Sequence, residues 1–199
     1  MLEVLAKIPG RSKIAYKYSE TDIAHAAVLL RGFKGELRGF KEESVVDEHT
    51  FWLDFGATNP NLSDQSDTAV YQQQILEIID RIQLHEVNKV VLSRPSHLYT
   101  ERADAQATFA ALQERYSNCT VFALKHPDFG HWMGASPEVL FEEIDGGYRS
   151  MSLAGTRLSG ALNWGDKERE EQNFVTKEIY KTLDNFGGHV RTQGEETLN

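Results

Sequence analysis

Cysteine is almost missing from this chain: Cys119 stands alone among 199 residues, so no intramolecular disulfide can form and no CxxC pair exists for redox or metal work. Set in the apolar run Cys119-Thr-Val-Phe-Ala-Leu124, it reads as a buried, inert thiol. The seven histidines show no HExxH or comparable ligand spacing, which argues against zinc. Basic residues are outnumbered, 21 Lys and Arg against 30 Asp and Glu, for a formal charge of −9. A chain without a field of positive charge is poorly matched to a nucleic-acid backbone. Long apolar runs are lacking too; stretches such as residues 24–30 fall far short of a bilayer span, and the first residues show no basic-then-apolar signal pattern. No membrane and a cytoplasmic location are therefore expected. Repeats and low-complexity tracts are also absent.

With 40% hydrophobic and 26% charged residues, the composition is that of a soluble globular protein long enough to bury a core. The best surface loop is residues 56–66, rich in Asn, Ser, Asp and Pro, and it separates an irregular α/β segment, poor in chemical signals, from a more legible remainder. Asp67 or Thr68 can cap a helix whose Val70, Ile75, Ile78, Ile79 and Ile82 recur at helical spacing through Leu84. A strand over 87–93, a helix over 103–116 and a strand over 120–125 follow. Asp145-Gly-Gly147 then reads as a hairpin turn between strands at 139–141 and 148–153, which implies an antiparallel stretch. The last strong element is a helix over 166–183, ended by Gly187-Gly188.

Four places carry chemistry. In KVVLSR, residues 89–94, Lys89 shares a strand face with Val87 and Val91 while Val90 and Leu92 take the other. Burial on both faces would disfavour its charged form and make it a general base; a strand-end lysine reaching out to water is the alternative. In GASPE, residues 134–138, proline fixes the backbone before Glu138, which is either a partly buried general acid or an exposed turn carboxylate. LAGT, residues 153–156, closes the next strand with small residues and one hydroxyl, suited to close approach of a carboxylate or ring, or simply a structural glycine at a strand end. On the last helix, Glu171 begins the inward stripe continued by Val175, Ile179 and Leu183. A carboxylate there needs donors or a cation, and a hard oxygen ligand without His or Cys suggests Mg2+; a solvated first-turn glutamate is the alternative.

Taken in order, KVVLSR, GASPE, LAGT and KEREEQNFV resemble the chorismate-binding enzyme family, and within it the isochorismate synthases, over roughly residues 75–183. The resemblance implies an α+β fold, antiparallel-rich sheets with helices packed outside, as in the N-terminal half of the chorismate-utilising enzymes. It treats residues 1–199 as a single partial domain, with 1–66 divergent and 67–199 bearing the motifs. It implies that Lys89 activates the water that adds at C2 of chorismate. Glu138 protonates the departing C4 hydroxyl, Gly155 and Thr156 contact substrate, and Glu171 is the first Mg2+ ligand. The family usually has histidine just after that glutamate, where this chain has Gln172.

Related branches help the choice. Anthranilate synthases carry glutamine where Lys89 stands, and aminodeoxychorismate synthases often place a nucleophilic lysine where Ala154 lies. Salicylate synthases share the lysine and remain the alternative, as does a non-catalytic half-domain that binds chorismate or a partner. The resemblance also implies menaquinone or siderophore biosynthesis as the setting. A histidine after LAGT, an arginine and tyrosine region and further carboxylates of the family find no counterpart before Asn199. The chain is therefore expected to be inactive alone and to self-associate through unpaired sheet edges or apolar surface.

Overall fold

The computed structural model describes residues 1–31, 35–56, 68–94, 96, 104–155, 163–185 and 191. The chain forms two compact units and passes between them three times: Met1–Gln65 with Ser96–Glu138 make the first, Ser66–Pro95 with Val139–Asn199 the second. Helices and antiparallel sheets are both present, as an α+β class requires.

The first unit is built on a six-stranded antiparallel sheet. Its strands are β1 (Leu2–Lys7), β2 (Ile14–Thr21), β3 (Val28–Arg31), β4 (Leu37–Val45), β5 (Thr120–His126) and β6 (Gly130–Ser136), in the order β3-β4-β2-β1-β5-β6. Residues 1–45 are thus not irregular but supply four of the six strands. Their alternation is masked in the sequence because β4, for instance, buries only Gly39 and Phe40 while five charged or polar residues and a valine follow or flank them, and its pairing with β2 shifts register between Lys17 and Tyr18. A strand with so few buried side chains leaves little period-two signal.

Side chains from β1 and β5 show how the sheet is covered. Leu5 and Ala123 face each other across the ladder and join Val46, Val121, Phe51 and Phe109 in one core cluster. Phe51 comes from helix α1 (Glu48–Leu53) and Phe109 from helix α3 (Ala105–Arg115). On the opposite face Leu2, Tyr18 and Phe40 form the second cluster, with Val4 and Leu124 against it. Both α1 and α3 begin on an aspartate whose side chain accepts a backbone N–H two or three positions inside the helix: Asp47 from Thr50 and Asp104 from Ala107, each at 2.9 Å. Cys119, just before β5, is half-buried rather than enclosed, because it stands in the turn entering the strand and not among its inward residues.

Where the sheet becomes polar, it is closely paired. Lys125 lies over the Phe51 ring, 4.8 Å from its centroid, and donates to Asp54 at 2.7 Å and to Glu3 at 3.1 Å. Burial alone would raise the Glu3 carboxyl, but hydrogen bonds from Lys17 and Lys125 outweigh it and hold it below the usual carboxylate range. His131 Nδ1 accepts the Gly56 N–H at 2.8 Å, and the buried His126 Nδ1 accepts the Asp128 N–H at 3.1 Å. Burial pushes both imidazoles below the ordinary value of 6.5.

The second unit contains helix α2 (Thr68–Gln83), a hairpin of β7 (Glu142–Ile144) and β8 (Gly147–Arg149), and helix α4 (Asp166–Asp184). The helix expected from Thr68 is present, and it stops on His85 at φ 58°, with Glu86 N–H bonded back to the Arg81 carbonyl. The hairpin turn is also as expected: Asp145 and Gly146 have φ of 49° and 75°, the paired left-handed residues of a type I′ turn. The strands differ from expectation, however: β7 falls at residues 142–144 rather than 139–141, and β8 is shorter, leaving 150–153 outside it. The Gly187-Gly188 stop and the Asp67 cap fall outside the described residues. Among the described residues no helix is long and apolar enough to cross a membrane.

Protonation would turn the two Nδ1 acceptors into donors facing N–H groups. Because their folded pKa values are depressed, the stability they provide is complete above about 6.5 and is lost as pH falls below it toward the folded values. Glu3 and Asp54, also depressed, add a second loss below the carboxylate range. Thermal unfolding followed by circular dichroism should therefore give a lower Tm at about pH 5.5 than at about pH 7.5, with a steeper fall near pH 4. A Tm that is flat from pH 8 to about pH 5 would contradict the histidine assignment.

Candidate active site

Residues 87–94 run through the second unit outside any helix or strand. The strand expected over 87–93 is not found, and neither is burial on both faces: Val91 is 80% exposed and Val90 43%. No ladder partner flanks the segment among the described residues, so its backbone has nothing to register against. Side chains fix it instead. At one end Lys89 Nζ sits 3.1 Å from a Glu171 carboxylate oxygen. At the other, Arg94 donates to the Thr68 hydroxyl at 3.0 Å and lies over the Tyr71 ring, 5.2 Å from its centroid. KVVLSR is thereby held between α4 and the start of α2.

Helix α4 presents Glu171 as its sequence pattern implies. Glu171, Val175, Ile179 and Leu183 lie on the better-covered side of the helix, while Glu170, Lys177 and Glu178 are exposed. The Lys89 and Glu171 side chains keep 22% and 32% of their surface, shielded but open to solvent on one side. Of the expected site residues, then, these two are brought into direct contact.

Gly155 lies against the first turn of the same helix. At φ 77°, a Cβ placed on it would come 3.3 Å from the Glu168 carbonyl oxygen and 3.6 Å from the Trp164 ring. Glycine is required there for both its backbone angle and its close approach. Thr156 lies outside the described residues.

Glu138 closes the first unit. β6 ends at Ser136, whose hydroxyl accepts the Glu138 N–H at 3.2 Å, so the turn is held as expected. Its side chain is exposed rather than partly buried, because Pro137 and Glu138 have already left the sheet. Gly134 in the same motif has a packing reason: a Cβ there would come 3.1 Å from the Phe122 ring.

Sequence reasoning noted Gln172 as a departure from the family's histidine but gave it no role. Its Oε1 accepts the Ala154 N–H at 2.8 Å, while Nε2 donates to the Ser152 carbonyl and hydroxyl, each at 2.8 Å. Thr176, one turn on, completes the group with a 2.8 Å hydroxyl contact to Ser152. The available signal was two polar residues, Gln172 and Thr176, spaced i, i+4 on the covered stripe of α4.

As a metal centre the described residues offer little on their own: no three His, Cys, Asp or Glu side chains among them converge. Glu171 offers one partly shielded carboxylate, paired with Lys89; hard carboxylate oxygens of this kind are what Mg2+ takes, commonly one or two of them with substrate oxygens and water completing its shell.

This combination of motif-bearing elements belongs to a known class. Residues 41–199 match the family model described as chorismate binding enzyme, and the chain belongs to that family. Among curated proteins it is similar to isochorismate synthase MenF of Escherichia coli (strain K12), 29% identical over an alignment of 123 residues that takes in 55% of this chain and 28% of that protein. No solved structure matches.

Exposed on one side, the Lys89–Glu171 ion pair should contribute about 0–1 kcal/mol to stability. Lys89→Met is therefore expected to fold normally, with a denaturant midpoint close to that of the unsubstituted chain. A loss above about 3 kcal/mol would make Lys89 a structural residue instead.

Proposed function

We propose that this chain carries part of the active site of an isochorismate synthase, which converts chorismate to isochorismate. The observation that supports it most is the contact between Lys89 and Glu171, two residues far apart in sequence to which the resemblance assigns the base and the first metal ligand. In this reading Lys89 takes a proton from water as its oxygen bonds to C2 of the chorismate ring. The ring double bonds shift and the C4 hydroxyl leaves as water with a proton from Glu138. Gly155 gives the substrate close access to backbone, with Thr156 beside it in sequence. Glu171 would hold Mg2+, which when bound neutralises the negative charge of the ring carboxylate.

A lysine, rather than glutamine, at position 89 favours water over ammonia as the nucleophile, and Ala154 leaves no amine nearby in sequence to attack the ring. A cytoplasmic enzyme of menaquinone or siderophore biosynthesis fits the reading. Large apolar side chains exposed on the second unit, Leu76, Leu84 and Val91 among them, support self-association. Light scattering over a dilution series should show mass rising with concentration; a constant monomer mass would reject that part.

The reaction is tested with the complete gene product, chorismate and Mg2+, with products resolved chromatographically. Isochorismate is expected, with kcat reduced about 10²-fold to 10⁴-fold by Lys89→Ala and by Glu138→Gln. Salicylate with pyruvate would assign the salicylate synthase branch instead. Anthranilate formed with ammonia, or unchanged turnover in Lys89→Ala, would overturn the mechanism.

A further inference from the structure

The segment before Gly155 has a supply problem. Residues 152–155 lie beyond the end of β8 outside any helix or strand, with no strand paired to them among the described residues. Their peptide groups still need partners, since an unmet N–H or C=O away from water costs free energy comparable to a lost hydrogen bond. Gln172 meets that need with a primary amide that behaves like one peptide of a neighbouring strand: it accepts from Ala154 N–H and donates to Ser152 C=O, both at 2.8 Å.

The amide itself is held. Nε2 also reaches the Ser152 hydroxyl at 2.8 Å and the Thr176 hydroxyl at 3.3 Å, and Thr176 Oγ1 donates to the main-chain carbonyl of Gln172 at 3.0 Å. With both ends of the amide engaged, it cannot rotate without losing several bonds at once. On one side Gln172 adjoins Glu171; on the other its partner Ala154 adjoins Gly155, which is packed on Glu168 one turn earlier.

From this geometry we infer that Gln172 is a positioning residue: it fixes the register of the Gly155 segment on α4, and so sets the spacing between the substrate-contacting backbone and the Lys89–Glu171 pair. This role rests on the function proposed above. Gln172 does not touch the substrate. It acts through Ser152 and Ala154, and its effect falls on substrate binding, because the Gly155 backbone contacts chorismate before and during the reaction alike.

A glutamine that merely stabilises the fold would, when removed, lower the folded fraction and hence the apparent kcat, and leave KM unchanged. A positioning glutamine raises KM. In the complete gene product, Gln172→Leu is expected to raise KM for chorismate by about tenfold or more, with kcat per folded molecule within about threefold. Gln172→Glu keeps the acceptor for Ala154 but loses the donor to Ser152, and should give a smaller increase; it also serves if the leucine variant folds poorly. Amide hydrogen exchange supplies a readout independent of turnover, with Ala154 N–H exchanging faster in Gln172→Leu. Unchanged KM with kcat falling in step with folded protein, or unchanged Ala154 exchange, would overturn the inference while leaving the isochorismate synthase reading intact. Failure of the unsubstituted protein to turn over chorismate would overturn both.

Discussion

In the second unit, chain outside any helix or strand must find partners where no β-ladder is at hand, and it finds them on the covered side of α4. Gln172 bonds to the peptide groups on either side of residue 153 and Thr176 to Ser152, Glu171 pairs with Lys89, and the Glu168 turn packs closely against Gly155. Two stretches distant in sequence, the segment bearing Lys89 and residues 152–155, are thus referred to one rigid rod. A helix is well suited to this, because residues three and four apart rise along one side at fixed intervals. Lys89, Glu171 and Gly155 inherit their spacing from that rod rather than from a β-ladder.

This arrangement explains why the polar content of α4 is high without leaving the helix adrift. The inward side alternates apolar residues, Val175, Ile179 and Leu183, with groups that bond to backbone or to an opposite charge. The first anchor the helix by burial. The second make its position specific, since an amide bonded at both ends tolerates far less sliding than a contact between aliphatic side chains.

The sequence disclosed these features unevenly. Helices α2, α3 and α4 were legible because their apolar or capping residues recur at helical spacing, and the Asp145-Gly146 turn because left-handed backbone strongly favours such residues. Strands β1 to β4 were not, since none buries more than three side chains, β3 buries none, and each carries at least one charged residue. KVVLSR misled for the opposite reason: a run of β-branched residues states a preference for strand but cannot supply the neighbour that would make it one. Glu171 was found because its place in the helical stripe does not depend on distant chain. Gln172 was read only as a departure from the family's histidine, because its bonds go to two peptide groups and its one signal was the i, i+4 spacing with Thr176.

The place of β1 at the centre of the first sheet has a consequence for how the protein comes together. Its one neighbour, β2, follows after a short turn, but its other, β5, lies on the order of a hundred residues further along, beyond the whole α2 excursion into the second unit. The ladder between Leu5 and Ala123 cannot close until that excursion has been made. Until then Leu5 and the rings of α1 have no opposite wall, and β1 offers an open edge to any other strand nearby. Assembly of the molecule is therefore governed by a long-range closure, and the period before it is when the chain is most exposed to mispairing with its own kind.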